Sequence, residues 1–330
     1  MFLWFLMFGS FISISANSWM GMWLGLEINL LAFIPLIQEN NNSFSSESAL
    51  KYFLTQTIAS MIFLFTVIFM SKQFIYLKYV ENYIMIMFNS ALLMKMGMAP
   101  FHFWFPEVID GLNWFNSLML LTWQKITPMI LVMYNMYFSY FFLMIIVFSM
   151  LISGFMGLNQ HSLRKFLAYS SINHMAWMIS AMLYSESIWF YYFIIYSILS
   201  LNLILFFKLF NIFYYNQLII SINNNFLLKF FFSLNFLSLG GLPPFIGFFP
   251  KWLIIQFMIN SNWFMLAFFM VMLTLFTLFY YMQLIFNILI LNNNEINYFK
   301  NFSHKNELYT YFTFLSLSSL MFFSLSLNFT

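Results

Sequence analysis

Cysteine is absent from this 330-residue chain, and charge nearly so. Without cysteine there is no disulfide, no thiolate zinc site, no cysteine-ligated iron–sulfur cluster and no cysteine nucleophile. Asp, Glu, Lys and Arg together make up 6% of the residues, against about a quarter in soluble domains. Too few polar side chains remain to build a water-facing surface, which excludes a soluble domain. Runs of basic residues are also missing, and a net charge of +3 spread over helix ends offers no nucleic-acid surface. No phosphate-binding glycine loop, metal cluster or nucleophile triad is present, leaving no evident catalytic chemistry of the chain's own.

What is present is apolar length. Hydrophobic residues account for 63%, including 50 Phe and 27 Met. A bilayer crossing takes about 20 apolar residues, so the length converts into crossings. Apolar runs between polar breaks predict an all-α polytopic membrane protein of about eleven transmembrane helices, over 1–18, 21–38, 52–71, 83–106, 115–135, 140–160, 166–184, 189–210, 229–258, 263–291 and 308–327. Met1 to Ala16 has no basic start and no Arg-rich amphipathic character, so the first segment is expected as a mature helix rather than a targeting peptide. Lys51, Arg164, Lys165, Lys208, Lys229, Lys300 and Lys305 fall on one face, with only Lys72 and Lys78 on the other. The positive-inside bias therefore places the N-terminus on the cytoplasmic or matrix side and the C-terminus opposite. The Phe, Met and Asn bias is that of an A/T-rich gene, common in organellar genomes.

Two helix interruptions repeat one pattern. Gly97-Met-Ala-Pro100-Phe101 through Pro106 and Gly241-Leu-Pro-Pro244-Phe245 through Pro250 both read G-x-x-P-F-x-x-x-x-P, 144 residues apart. They fall in the fourth and ninth expected helices, and an odd offset inverts one copy relative to the other. The expectation is a single membrane domain with a first five-helix half over 1–135, a second, inverted five-helix half over 140–291, and a final helix at 308–327. Proline removes a backbone donor, and unsatisfied backbone is tolerated at membrane depth only where protein or water covers it. Interrupted helices at matching positions of two halves point to an ion pathway, the alternative being a packing kink.

Four charges oppose insertion. Glu27, Lys95, Lys125 and Lys251 each sit in an otherwise apolar stretch, at a combined cost of roughly 10 kcal/mol. Stability does not explain them. Desolvation disfavours the charged form of an amine and a nearby carboxylate favours it, so a lysine with a movable carboxylate partner is a proton switch. Glu27 is the expected partner of Lys95, with Lys125 next in line and Lys251 in the other half; the alternative is a static ion pair. His174, one turn beyond Ser170 and Ser171, extends a polar stripe able to carry a hydrogen-bonded relay, or else simply bonds a neighbouring helix. His102 is expected to cap free carbonyls at the first break, and His161 and His304 to lie in loops. Arg164, Lys165, Glu107 and Asp110 read as peripheral, and the ten Trp and 19 Tyr as interface anchors and helix packing.

The strings WLGLEIN at 23–29, LMKMGMAPFHFWFPEV at 93–108, LTWQKITPM at 121–129, LNQHSLRKFLAYSSINHMAWM at 158–178 and GGLPPFIGFFPKW at 240–252 resemble the antiporter-like membrane subunits of mitochondrial NADH:ubiquinone oxidoreductase, respiratory complex I. The residue bias is similar to that of insect members. This resemblance implies two inverted five-helix repeats with broken helices. It assigns the glutamate to Glu27, its paired lysine to Lys95, the central lysine to Lys125 and the exit-side lysine to Lys251. It further implies a subunit of a respiratory-chain proton pump in the mitochondrial inner membrane that binds no cofactor. NADH, FMN, iron–sulfur clusters and ubiquinone would belong to partner subunits. Its partners would be neighbouring antiporter-like subunits, small membrane-arm subunits and lipids. Two other functions share the same charges: a stand-alone cation/proton antiporter subunit, and a scaffold whose charges only hold helices together.

Overall fold

A computed structural model describes residues 1–38, 42–71, 78–136, 139–222 and 226–290. The helix expected over 308–327, with Lys72, Lys300, Lys305 and His304, lies outside these residues. The chain divides into two compact units, Met1–Phe148 and Ser149–Thr330.

The first unit opens with the hairpin α1 (Phe2–Ser15) and α2 (Trp19–Ile37). The Ser18 hydroxyl accepts from the Gly21 amide at 3.2 Å and starts α2. The two helices approach at Gly9 and Gly25, where a Cβ on Gly25 would lie 2.7 Å from the Gly9 carbonyl oxygen. Small residues permit such contacts where lipid supplies no hydrophobic drive. Next come α3 (Ser43–Ser71), α4 (Lys78–Met96), α5 (Trp104–Gly111), α6 (Trp114–Leu121) and α7 (Trp123–Met133). α3 packs on α2, α4 and α5, and α7 on α1, α4 and α6. α8 (Ser139–Gly157) carries the chain from one unit into the next.

The second unit contains α9 (Leu163–Met182), α10 (Glu186–Phe210), α11 (Tyr215–Ile222), α12 (Phe226–Gly240), α13 (Phe248–Asn260) and α14 (Phe264–Ile290). α9 is buried on every side and packs against α10, α13 and α14. Short backbone bonds, Leu163 N to Phe213 O and Tyr215 N to His161 O, tie the segment before α9 to that after α10.

α3 shows which solvent the fold is built for. Its exposed stripe is Leu50, Leu54, Ile58, Met61 and Phe65, while Ser45, Ser48, Tyr52, Gln56 and Ser60 are buried. Large apolar side chains outside and polar ones inside invert the arrangement of a water-soluble helix. The buried serine hydroxyls bond back to carbonyls one turn earlier, Ser45 donating to the Asn42 carbonyl and Ser48 to that of Ser45, each at 2.8 Å. Among the described residues five helices, Trp19–Ile37, Ser43–Ser71, Tyr140–Gly157, Glu186–Phe210 and Phe264–Leu289, are long and apolar enough to cross a membrane, and Phe2–Ser15 and Phe226–Gly240 are apolar but shorter.

Candidate functional site: buried lysines at two helix breaks

α4 ends in the first repeated motif. Gly97 takes a left-handed φ of 73°, its amide donating to Met94 O and the Met98 amide to Leu93 O, both at 3.1 Å. This is a Schellman closure, in which glycine supplies the left-handed residue. Lys95 is the last-turn residue just before it. Side-chain donors complete the helix end: Gln56 Nε2 reaches the left-over Lys95 carbonyl at 3.3 Å, and Trp104 Nε1 adds a second bond to Met94 O at 3.1 Å. The His102 ring lies 3.3 Å from the Pro100 carbonyl, inside the break, as expected of a cap for free backbone.

Lys95 and Lys125 are both buried, at 8% and 2% exposure, and line one cavity in the first unit. Its wall combines Tyr52, Gln56, Asn29, Gln124 and Thr127 with apolar side chains, among them Trp104 and Phe105. About 20 Å³ is open to the centre of a water molecule, where ~10–15 Å³ suffices for one. Gln124 Nε2 donates to Asn29 Oδ1 at 3.0 Å, joining α2 to α7 across the cavity. Pro128, also in the wall, has no N–H to return to the Gln124 carbonyl. The Lys125 ammonium lies 4.9 Å from the centre of the Phe105 ring.

Glu27 is partly buried on α2, next to Leu26 of the cavity wall. It forms no ion pair with Lys95; the ion pairs among the described residues join Lys51 to Glu47 at 2.9 Å and to Glu107 at 2.8 Å, on the exposed side of α3 and α5.

The second unit repeats the closure at α12. Gly241 has a φ of 77°, its amide donating to Ser238 O at 3.1 Å and the Leu242 amide to Leu237 O at 3.3 Å. Here the leftover carbonyls accept from a lysine: Lys251 Nζ reaches Gly240 O at 2.8 Å and Leu239 O at 3.4 Å. A cation is the favoured partner for a helix C-terminus. The break thus explains why its lysine follows the motif, where Lys95 precedes the first. His174 lies elsewhere in this unit, on α9, with Nδ1 2.9 Å from the Tyr192 hydroxyl and its ring 5.1 Å from that of Tyr196. Ser170 and Ser171 donate back to the Leu167 and Ala168 carbonyls of their own helix.

Residues 16–277 match the family described as NADH:quinone oxidoreductase/Mrp antiporter, TM. The chain belongs to this family. The NADH-ubiquinone oxidoreductase chain 2 of Anopheles gambiae is 47% identical over 331 residues, covering 98% of this chain and 96% of that protein. In a solved structure of respiratory complex I from Thermus thermophilus with bound aureothin, one chain aligns with a TM-score of 0.87 at 21% identity, over 99% of this chain and 78% of that one. A chain of the Mrp complex from Dietzia sp. DQ12-45-1b aligns with a TM-score of 0.75 at 14% identity, over 87% of this chain and 59% of that one. At those identities the likeness is one of fold.

Within this antiporter-family chain, the charged residues singled out by their cost in an apolar span are Glu27, Lys95, Lys125 and Lys251. The structure gathers Lys95 and Lys125 at one cavity with Glu27 nearby, and sets Lys251 and His174 at separate places in the second unit. Sequence reasoning passed over Asn29, Gln56, Gln124, Phe105 and Tyr192. A signal was available for the first three, since uncharged polar side chains in apolar helices also carry a cost. Phe105 and Tyr192 offered none among 50 Phe and 19 Tyr.

Proposed function

We propose that the chain is a proton-translocating subunit of the membrane arm of an NADH:ubiquinone oxidoreductase. In this reading it crosses the mitochondrial inner membrane about eleven times, with the N-terminus on the matrix side. The observation that carries the proposal is the cavity shared by Lys95 and Lys125. The near full-length similarity to an NADH-ubiquinone oxidoreductase chain 2 favours a redox-driven pump over a stand-alone antiporter.

The chemistry is proton movement between amines. A change in the position of the Glu27 carboxylate strengthens or weakens its hold on the Lys95 ammonium, because Coulomb interactions are strong where water is scarce. A proton leaving Lys95 Nζ passes to water in the cavity, and that water hands a proton to Lys125 Nζ. Asn29 and Gln124 can each donate and accept, and so orient such a water. Lys251 is the corresponding proton carrier of the second unit and His174 a relay. NADH, FMN, iron–sulfur clusters and ubiquinone reside in partner subunits, whose turnover drives the proton movement.

The test is proton pumping measured together with NADH:quinone turnover in assembled complex carrying Lys95→Met. Both activities are expected to fall together while assembly persists. If both persist, the relay is wrong; if the complex fails to assemble, Lys95 serves the scaffold instead.

A further inference from the structure

One wall of the cavity carries an aromatic ring to which the relay assigns no part. Phe105, in the first turn of α5, is 1% exposed, and its face lies beneath the Lys125 ammonium at cation–π distance. What sets the ring there is Gly97. A Cβ on residue 97 would stand 2.8 Å from Phe105 Cβ, 2.9 Å from Cγ and 3.0 Å from Cδ2, so any other residue would push the ring away. Gly97 in turn closes the helix end that carries Lys95, two residues earlier. The helix end of Lys95, the Phe105 ring and the Lys125 ammonium therefore form one continuous stack within the first unit.

We infer that Phe105 is a positioning residue for proton transfer, its ring face holding the Lys125 ammonium at the cavity wall. This rests on the proton-relay reading above. The negative face of an aromatic ring attracts a cation but has no such hold on a neutral amine. The Lys125 side chain is thus retained at the cavity while it carries its proton and released once the proton has gone. A carboxylate in the same place would bind the ammonium as an ion pair, and removing one member of a buried pair is far costlier than leaving a ring. A ring allows both charge states. Because Gly97 and Lys95 share one Schellman turn, a movement of that helix end also shifts the ring, which links Lys95 mechanically to Lys125.

The test compares Phe105→Leu, apolar but without a ring face, with Phe105→Tyr, which keeps one, in assembled complex assayed for proton flux and NADH:quinone turnover. Phe105→Leu is expected to lower coupled proton flux by roughly threefold to thirtyfold, with Phe105→Tyr retaining at least about half. Phe105→Met, flexible and of similar bulk, replaces Phe105→Leu if the latter blocks assembly. Full flux in the ring-less variants overturns the proposal, as does equal impairment of the Leu and Tyr variants, which marks a packing role. Lys125→Met is measured alongside. If it pumps normally, the relay itself fails; if it is inactive while Phe105→Leu is unimpaired, only the role of Phe105 fails.

Discussion

A charged side chain near mid-bilayer costs about 3 kcal/mol on insertion scales. In the proposed relay, Lys95 and Lys125 meet that cost at a cavity with polar walls rather than in a close ion pair with Glu27. The Asn29–Gln124 bond spans the same space, and its energetic role can be isolated. Removing one member leaves the other buried without its partner, a loss of about 1–3 kcal/mol. Asn29→Leu and Gln124→Leu are each expected to reduce proton flux roughly tenfold in assembled complex, taking 1.4 kcal/mol as tenfold. Because the two act as a unit, the double variant is expected to lose little more than either single one. Additive losses measured in this cycle would show that the amides act separately. Glu27→Gln retains size and hydrogen bonding but removes the carboxylate charge that the proposed switch requires, so pumping is expected to drop with assembly intact; undiminished pumping would remove Glu27 from the mechanism.

At the scale of the helix, both breaks solve the same problem with different donors. A Schellman turn satisfies two carbonyls and leaves the last ones of the helix to other donors. Gln56 covers the Lys95 carbonyl of α4, with Trp104 adding a second bond to Met94 O, whereas Lys251 covers the Leu239 and Gly240 carbonyls of α12. Lys251 therefore has a structural task that Lys95 does not have. Lys251→Met leaves a buried helix end without its donor and is expected to lower both assembled complex and flux. Lys251→Gln keeps an N–H donor and is expected to restore assembly but not flux. Blue-native quantification beside a flux assay checks this, and equal assembly of the two variants would show that the cap is dispensable. Gly241→Ala belongs to the same element: its φ of 77° disfavours a side chain, and the Cβ would lie 2.8 Å from Lys251 Nζ. The positions of these breaks could be read from Gly97, Pro100, Gly241 and Pro244. The interruption between α6 and α7 could not. At Thr122 the backbone departs to φ −115°, ψ −71°, and its hydroxyl donates back to Leu118 O at 2.8 Å. Threonine makes such bonds in many unbroken helices, so the residue gives no warning. The cavity was equally hidden, since Gln56 and Lys95, or Asn29 and Gln124, meet only through the packing of helices distant in sequence.

Over the whole molecule, the inversion of polarity seen in α3 recurs in α14, where Met265, Phe268, Met272 and Phe279 are exposed while Thr277, Tyr280 and Tyr281 are buried. Such surfaces fix which solvent surrounds the helices but not which end faces which compartment. Orientation rests on charge: Arg164 and Lys165 open α9, and Lys208 sits in the last turn of α10, so both helices have basic residues at the same end of the hairpin they form. In the orientation proposed above, the positive-inside rule puts that end in the matrix. The absence of cysteine makes this testable, because a single introduced thiol is the only one in the chain. His161, before α9, and Ser187, at the start of α10, are both exposed and lie at opposite ends of that hairpin. In mitoplasts, a membrane-impermeant maleimide is expected to label Ser187→Cys from outside and to reach His161→Cys only after the membrane is opened. The reverse order would invert the orientation, moving the basic end of α9 to the intermembrane space and setting the direction of proton flow through the lysines the other way round.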